Sequence, residues 1–177
     1  MTIVGASREQ RETVDWAIAH FVEAGLELPT LAIEFHATDE GCDGYDGAFR
    51  SRETPARLDV CNPYRLIVLH ELAHAWEHTA VSDHVRDEFM AVRGIAAWNG
   101  GDLPWKQRGV EEMAEVLVWG LRQFSGTTAI DVQPEREQAF ELVTGIDATT
   151  RRSETPMAKS HTVFDPAEAD PDWDTLS

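Results

Sequence analysis

The segment His70–His78 reads His-Glu-Leu-Ala-His-Ala-Trp-Glu-His and carries the side chains best suited to chemistry. His70 and His74 are four residues apart, so on a helix their imidazoles leave the same face one turn apart. That spacing suits two ligands of one zinc ion, and Glu71 follows the first ligand where a general base is required. The segment therefore predicts a zinc site; the alternative is a chance match on an ordinary core helix.

A catalytic zinc site needs a third protein ligand, because such sites usually combine three protein ligands with one position for water. The later run Glu111-Glu112-Met113-Ala114-Glu115 lies in a predicted helix with an apolar face. Glu111 and Glu115 share one face of that helix, while Glu112 points about 100° away. We expect Glu111 to be the ligand and Glu115 to accept an imidazole N–H bond. The alternative is a solvated first turn, where the helix dipole favours acidic residues.

The pairing of His-Glu-Leu-Ala-His at 70–74 with this Glu-x-x-Ala-Glu resembles the minimal gluzincin-type (HExxH) zinc metallopeptidases. ImmA/IrrE-like peptidases and the anthrax lethal factor catalytic domain have this kind of arrangement. Small bacterial proteins predicted to be zinc peptidases are also similar, and the resemblance covers about residues 30 to 125. It implies a zincin-like fold and a Zn2+ cofactor bound by His70, His74 and Glu111, with Glu71 as the catalytic residue.

Two features of the chain depart from such families. Lethal factor-like domains have a tyrosine shortly before the ligand glutamate, and this chain has none there, so Tyr45, Tyr64, His84 and Arg108 remain candidates for the oxyanion stabiliser. His84 is also a rival metal ligand, because SprT-like zinc proteases use a third histidine after a variable gap. Those proteins usually place glycine after that histidine, whereas Val85 follows here. Glu112 and Glu115 remain further alternatives to Glu111.

These residues predict a zinc-dependent peptidase in which Glu71 takes the proton from a zinc-activated water that attacks a peptide bond. The substrate would lie extended along an edge strand within residues 44 to 61 and bind through main-chain hydrogen bonds. A catalytically inactive zinc-binding interaction module is an alternative, which the intact Glu71 disfavours. A SprT-like protease with His84 as the third ligand is the other alternative.

The composition limits the partners of the chain. Its 177 residues, 42% hydrophobic with six Trp, predict one folded domain. A formal charge of −17 disfavours nucleic acid and anionic membranes, which leaves a peptide or protein substrate as the expected partner. No apolar run reaches the about 20 residues that cross a bilayer. Residues 1–10 lack an apolar secretory segment, so the expected location is cytoplasmic.

Hydrophobic periodicity predicts an α+β domain over residues 1–148, with a small antiparallel or mixed sheet and an active-site helix packed on further helices. Residues 149–177, rich in Pro, Ser and acidic residues, predict a flexible tail. Val22 and Val92 are expected on the inner faces of their helices. Cys42 and Cys61 flank a predicted hairpin that could join them, but reduced thiols are the expected state in the cytoplasm. Predicted helices span 7–24, 63–79, 82–98, 109–124 and 134–143, and predicted strands span 31–37, 45–50 and 57–61.

Overall fold

The computed structural model describes residues 1–100, 103–124 and 133–147. The elements in chain order are β1 (Thr2–Val4), α1 (Arg8–Ala24), β2 (Leu31–Phe35), β3 (Gly47–Arg50), β4 (Ala56–Val60), α2 (Arg65–Ala80), α3 (Asp83–Arg93), α4 (Gly109–Phe124) and α5 (Pro134–Thr144). Two short 3-10 helices lie at Asp39–Cys42 and Trp105–Gln107. The predicted α+β class with a small sheet is confirmed. The predicted tail, 149–177, lies outside the described residues.

The four strands form one mixed sheet in the order β1-β2-β4-β3. β1, β2 and β4 run parallel, and β3 pairs antiparallel with β4 at the edge of the sheet. Side chains alternate between the two faces of a sheet, and one face carries the fully buried Leu58 and Val60 of β4. In the β3–β4 register Gly47 lies opposite Val60 and Phe49 opposite Leu58, which places both β3 residues on that core-facing side.

Helix α2 is the central element, packed against α1, α4 and the strands β3 and β4. Its residues 66 to 73 are all buried, as the apolar run before the histidines predicts. The helix begins at Arg65, two residues later than predicted, because Asn62 accepts a hydrogen bond from the Tyr64 N–H and Tyr64 is the N-cap. Among the described residues no helix is both long and apolar enough to cross a membrane.

Three local predictions were wrong. α3 ends at Arg93 and does not continue to 98, because Gly94 adopts a left-handed conformation (φ 67) that terminates the helix. Val22 and Val92 face outwards, with exposed fractions of 69% and 44%, whereas both were predicted to face inwards. β1 was missed, because three residues are too few to show an alternating pattern.

Cys42 and Cys61 are joined by a disulfide, contrary to the expectation of reduced thiols. Their Cα atoms are 6.2 Å apart, within the range that a disulfide spans. The bond connects the first 3-10 helix to the residue after β4. The main-chain N–H of Cys61 also donates to the carbonyl of Asp46, directly before β3. The disulfide therefore holds the loop that leads into the edge strand.

Candidate metal centre

Three predicted ligand atoms converge between α2 and α4. The Nε2 atoms of His70 and His74 are 3.1 Å apart, as the four-residue helical spacing predicts. Oε2 of Glu111 lies 3.3 Å from His70 Nε2 and 3.2 Å from His74 Nε2. All three side chains are largely shielded from solvent, with exposed fractions of 7%, 11% and 15%. The structure thus brings together the three residues that were predicted from the sequence to be ligands.

Glu111 is positioned by the packing of the start of α4. The main-chain N–H groups of Gly109 and Val110 donate to the carbonyls of Ala97 and Trp98. A side chain at Gly109 would place Cβ 2.8 Å from the ring of Trp98, so only glycine permits this close approach. The loop before α4 therefore fixes where its first turn meets α2.

The other candidate ligands have different positions. Glu112 accepts hydrogen bonds from Arg93 of α3, including one from Nε at 3.0 Å. His84 lies on α3 with 81% of its side chain exposed and 3.5 Å from Glu88. Glu115 turns its Oε1 towards Nδ1 of His70 at 3.1 Å, which is the place predicted for an acceptor of the imidazole N–H. Neither Glu112 nor His84 joins the convergent atoms.

A buried, unpartnered carboxylate oxygen supports a cation-binding role for this group of side chains. Within the described residues, Oε2 of Glu71, which follows His70 on α2, is buried without a hydrogen-bond partner. Buried polar groups are almost always satisfied, and buried carboxylates need a compensating charge. Two imidazole nitrogens and one carboxylate oxygen are a donor set that suits zinc. The residues present therefore fit the metal that the motif implies.

The electrostatics of the centre favour positive charge. Burial opposes charge on His70, but hydrogen bonds to Glu111 and Glu115 outweigh it and raise the pKa of His70 to about 9. The pKa of His74 is raised in the same way against burial, chiefly by Glu111. Although burial favours neutral Glu111, its two histidine partners hold its pKa well below the usual range. The raised pKa values of the two histidines and the lowered pKa of Glu111 both reflect carboxylates that favour a positive charge at this centre.

Glu71 lies between the candidate metal ligands and the edge strand. A Cβ built on Gly47 of β3 would fall 2.6 Å from Cγ of Glu71, so the strand approaches this side chain more closely than any other residue type allows. Burial raises the pKa of the Glu71 carboxyl above its usual value, which makes its ionised form a stronger base. This arrangement places a buried carboxylate beside the edge strand of the sheet.

Further side chains surround the site, and of these Trp105 and Glu77 were not predicted from the sequence. Trp105, from the second 3-10 helix, stacks on the His70 ring with centroids 5.6 Å apart. His78, one turn beyond His74, contacts the ring of Phe49 on β3 at 5.7 Å. Glu77 is almost fully buried beside His74, with 4% of the residue exposed. Its position three residues after His74 was the available signal, because i and i+3 share a helix face.

The oxyanion stabiliser is not selected by the geometry. Arg108 donates from Nε to the carbonyl of Leu103. Tyr45 is 59% exposed and precedes β3 by two residues, and Tyr64 is the N-cap of α2. The role of these residues stays a prediction.

A second group of potential ligands, Glu34, His36 and Asp59, is a structural ion-pair network. Oδ1 of the fully buried Asp59 accepts from His36 at 2.9 Å, and its Oδ2 accepts from Arg50 at 3.0 Å. Arg57 adds a second guanidinium, with Nε 2.8 Å from Oδ1. Burial favours neutral Asp59, but these three partners outweigh it and lower its pKa. Two guanidinium groups already neutralise the carboxylate, so a metal ion is disfavoured there.

Comparison with known proteins gave no significant match to a protein-family model, to a curated protein or to a solved structure. The function is therefore inferred from the geometry of this chain.

Proposed function

We propose that this protein is a zinc-dependent peptidase whose metal is held by His70, His74 and Glu111. The observation that carries the proposal is the convergence of two imidazole nitrogens and one carboxylate oxygen, all 3.1 to 3.3 Å apart, with Glu71 beside them. When bound, zinc would supply Lewis acidity for the peptide carbonyl and make a water molecule more acidic.

The chain's own residues supply proton transfer and orientation. Glu71 accepts the proton of the attacking water and then delivers it to the leaving amine. Its burial next to Gly47 shields the carboxylate from bulk solvent. Oε1 of Glu115 lies 3.1 Å from Nδ1 of His70, where it can accept the imidazole N–H and so direct Nε2 of that ring towards Glu111.

The edge strand β3 provides a place for the substrate backbone. β3 has β4 on one side, and within the described residues no strand pairs with its other side. An extended peptide would pair with this free edge by β-augmentation, at the strand whose Gly47 touches Glu71. Within residues 44 to 61, we therefore propose β3, Gly47–Arg50, as the strand with which the substrate pairs.

The disulfide bears on where the protein acts. Disulfides persist in oxidising compartments and are rare in the cytoplasm of mesophiles. Because Cys42 and Cys61 are bonded, we favour an oxidising compartment over the cytoplasmic location expected from residues 1–10. Alkylation of free thiols in freshly lysed cells tests this: a blocked, reductant-sensitive pair supports it, and two free thiols contradict it.

Cleavage of a random peptide library, read by mass spectrometry, tests the peptidase proposal. The zinc-loaded wild type should cut peptides, and Glu71→Gln should retain zinc but lose cleavage, because an amide cannot accept the proton. Glu112→Gln is the matched control, since Glu112 pairs with Arg93 outside the centre. Equal cleavage by wild type and Glu71→Gln would overturn the assigned base. Zinc binding without cleavage would leave an interaction module.

A further inference from the structure

Glu77 is a buried carboxylate that the proposed mechanism does not use. It lies on α2 three residues after His74, and only 4% of it is exposed. Its Oε1 is 3.8 Å from Nδ1 of His74, on the side of the ring opposite to the Nε2 that meets Glu111. Both Nδ1 of His74 and Oε2 of Glu77 are buried and lack hydrogen-bond partners among the described residues.

The surroundings of Glu77 leave its carboxylate facing the imidazole. Arg86 lies beside it, but its guanidinium binds the main-chain carbonyl of Glu77 and the carboxylate of Asp83. A buried carboxylate without a partner is costly, and so is a buried imidazole N–H without an acceptor. Shortening the 3.8 Å separation by about 1 Å satisfies both groups with one hydrogen bond.

The same arrangement, a carboxylate next to Nδ1 of a histidine, thus occurs twice in the centre. His70 has Glu115 at its Nδ1, and His74 has Glu77 at its Nδ1. In both pairs the carboxylate lies on the Nδ1 side of the ring. It therefore favours the tautomer with the proton on Nδ1, which leaves the lone pair of Nε2 free to bind a metal. The two acceptors come from different helices, α4 and α2, so each histidine is oriented independently.

We infer that Glu77 is a positioning residue, which accepts the Nδ1–H bond of His74 and thereby fixes the tautomer and ring orientation that metal binding requires. This inference rests on the proposed metal-binding role of His74 and extends it. The role is distinct from catalysis, because Glu77 acts only through the imidazole.

The test measures zinc affinity by competition with a chromogenic chelator, for wild type, Glu77→Gln and Glu77→Ala. Loss of an orienting acceptor typically costs 10- to 100-fold in metal affinity, which we expect for Glu77→Ala. Glu77→Gln should lose less, because its carbonyl still accepts the bond but carries no charge. Glu112→Gln, a partly buried glutamate paired with Arg93, should leave the affinity unchanged.

A second readout separates positioning from general destabilisation. In the zinc-loaded wild type, the Nδ1–H proton of His74 should give a slowly exchanging downfield NMR signal, which Glu77→Gln shifts while the corresponding signal of His70 stays in place. Because glutamine is nearly isosteric, this variant tests the inference even where Glu77→Ala fails to fold.

The outcomes distinguish this inference from the proposed function. If the wild type binds zinc and His74→Ala does not, while both Glu77 variants bind like wild type, then the positioning role is wrong and the metal site stands. If the wild type binds no zinc, both are wrong. A graded loss in the order wild type, Gln, Ala, with the His74 signal shifted, establishes the role.

Discussion

The metal-free protein should lose stability as the pH rises from 6.5 to 9. The pKa of His70 in the folded protein is about 9, against an ordinary value of 6.5. At about 1.4 kcal/mol per pH unit, this difference gives the protonated imidazole a contribution of about 3 kcal/mol to the free energy of unfolding. Because the folded value is the higher one, the contribution is complete below pH 6.5 and disappears as the pH passes 9. The raised pKa of His74 acts in the same direction.

Urea unfolding of chelator-treated protein at about pH 6 and above pH 9 measures this effect. His70→Gln is the control, because it removes the titrating group. Between these two pH values, the free energy of unfolding of this variant should fall by about 3 kcal/mol less than that of the wild type. The zinc-loaded protein should show little of the loss, because imidazoles that bind a metal are already neutral. A wild type whose stability is constant or rises over this range would refute the electrostatic account of the centre. So would an equal loss in His70→Gln.

Three further predictions concern the scaffold around the centre. Replacing Cys42 and Cys61 by serine should lower the free energy of unfolding by about 3 kcal/mol, because the disulfide closes a loop with a sequence separation of 19; unchanged urea midpoints would contradict this. Gly47→Ala should displace Glu71, so that cleavage falls by about 100-fold while zinc content stays unchanged. Asp59→Asn should destabilise the protein by about 3 kcal/mol, seen in thermal unfolding, without weakening zinc binding.

The side chains on one helix could be predicted from the sequence because helix geometry is local. The four-residue spacing of His70 and His74 requires only that α2 forms, and the apolar run before them ensures a buried helix. Glu111 was nominated because an acidic pair shared the inner face of a second helix. The structure packs that helix, α4, directly against α2, and the ligand role of Glu111 stays a prediction.

Other features depend on tertiary packing that periodicity does not encode. Gly47 touches Glu71 only because β3 occupies the edge of the sheet next to α2, and strand order is not visible in the sequence. Trp105 reaches His70 through a loop whose path is set by contacts with α4. The end of α3 was misplaced because the apolar pattern continues past Gly94, whereas the backbone conformation of that glycine stops the helix.

Metal analysis of the purified protein tests the central claim most directly. Plasma mass spectrometry of the wild type, His74→Ala and Glu111→Ala, each reconstituted with zinc and dialysed, gives the metal content per chain. We expect about one zinc per wild-type chain and none retained by either variant, as a site with three protein ligands requires. Zinc retained by Glu111→Ala would contradict the assigned ligand set, and a wild type without zinc would contradict the account as a whole.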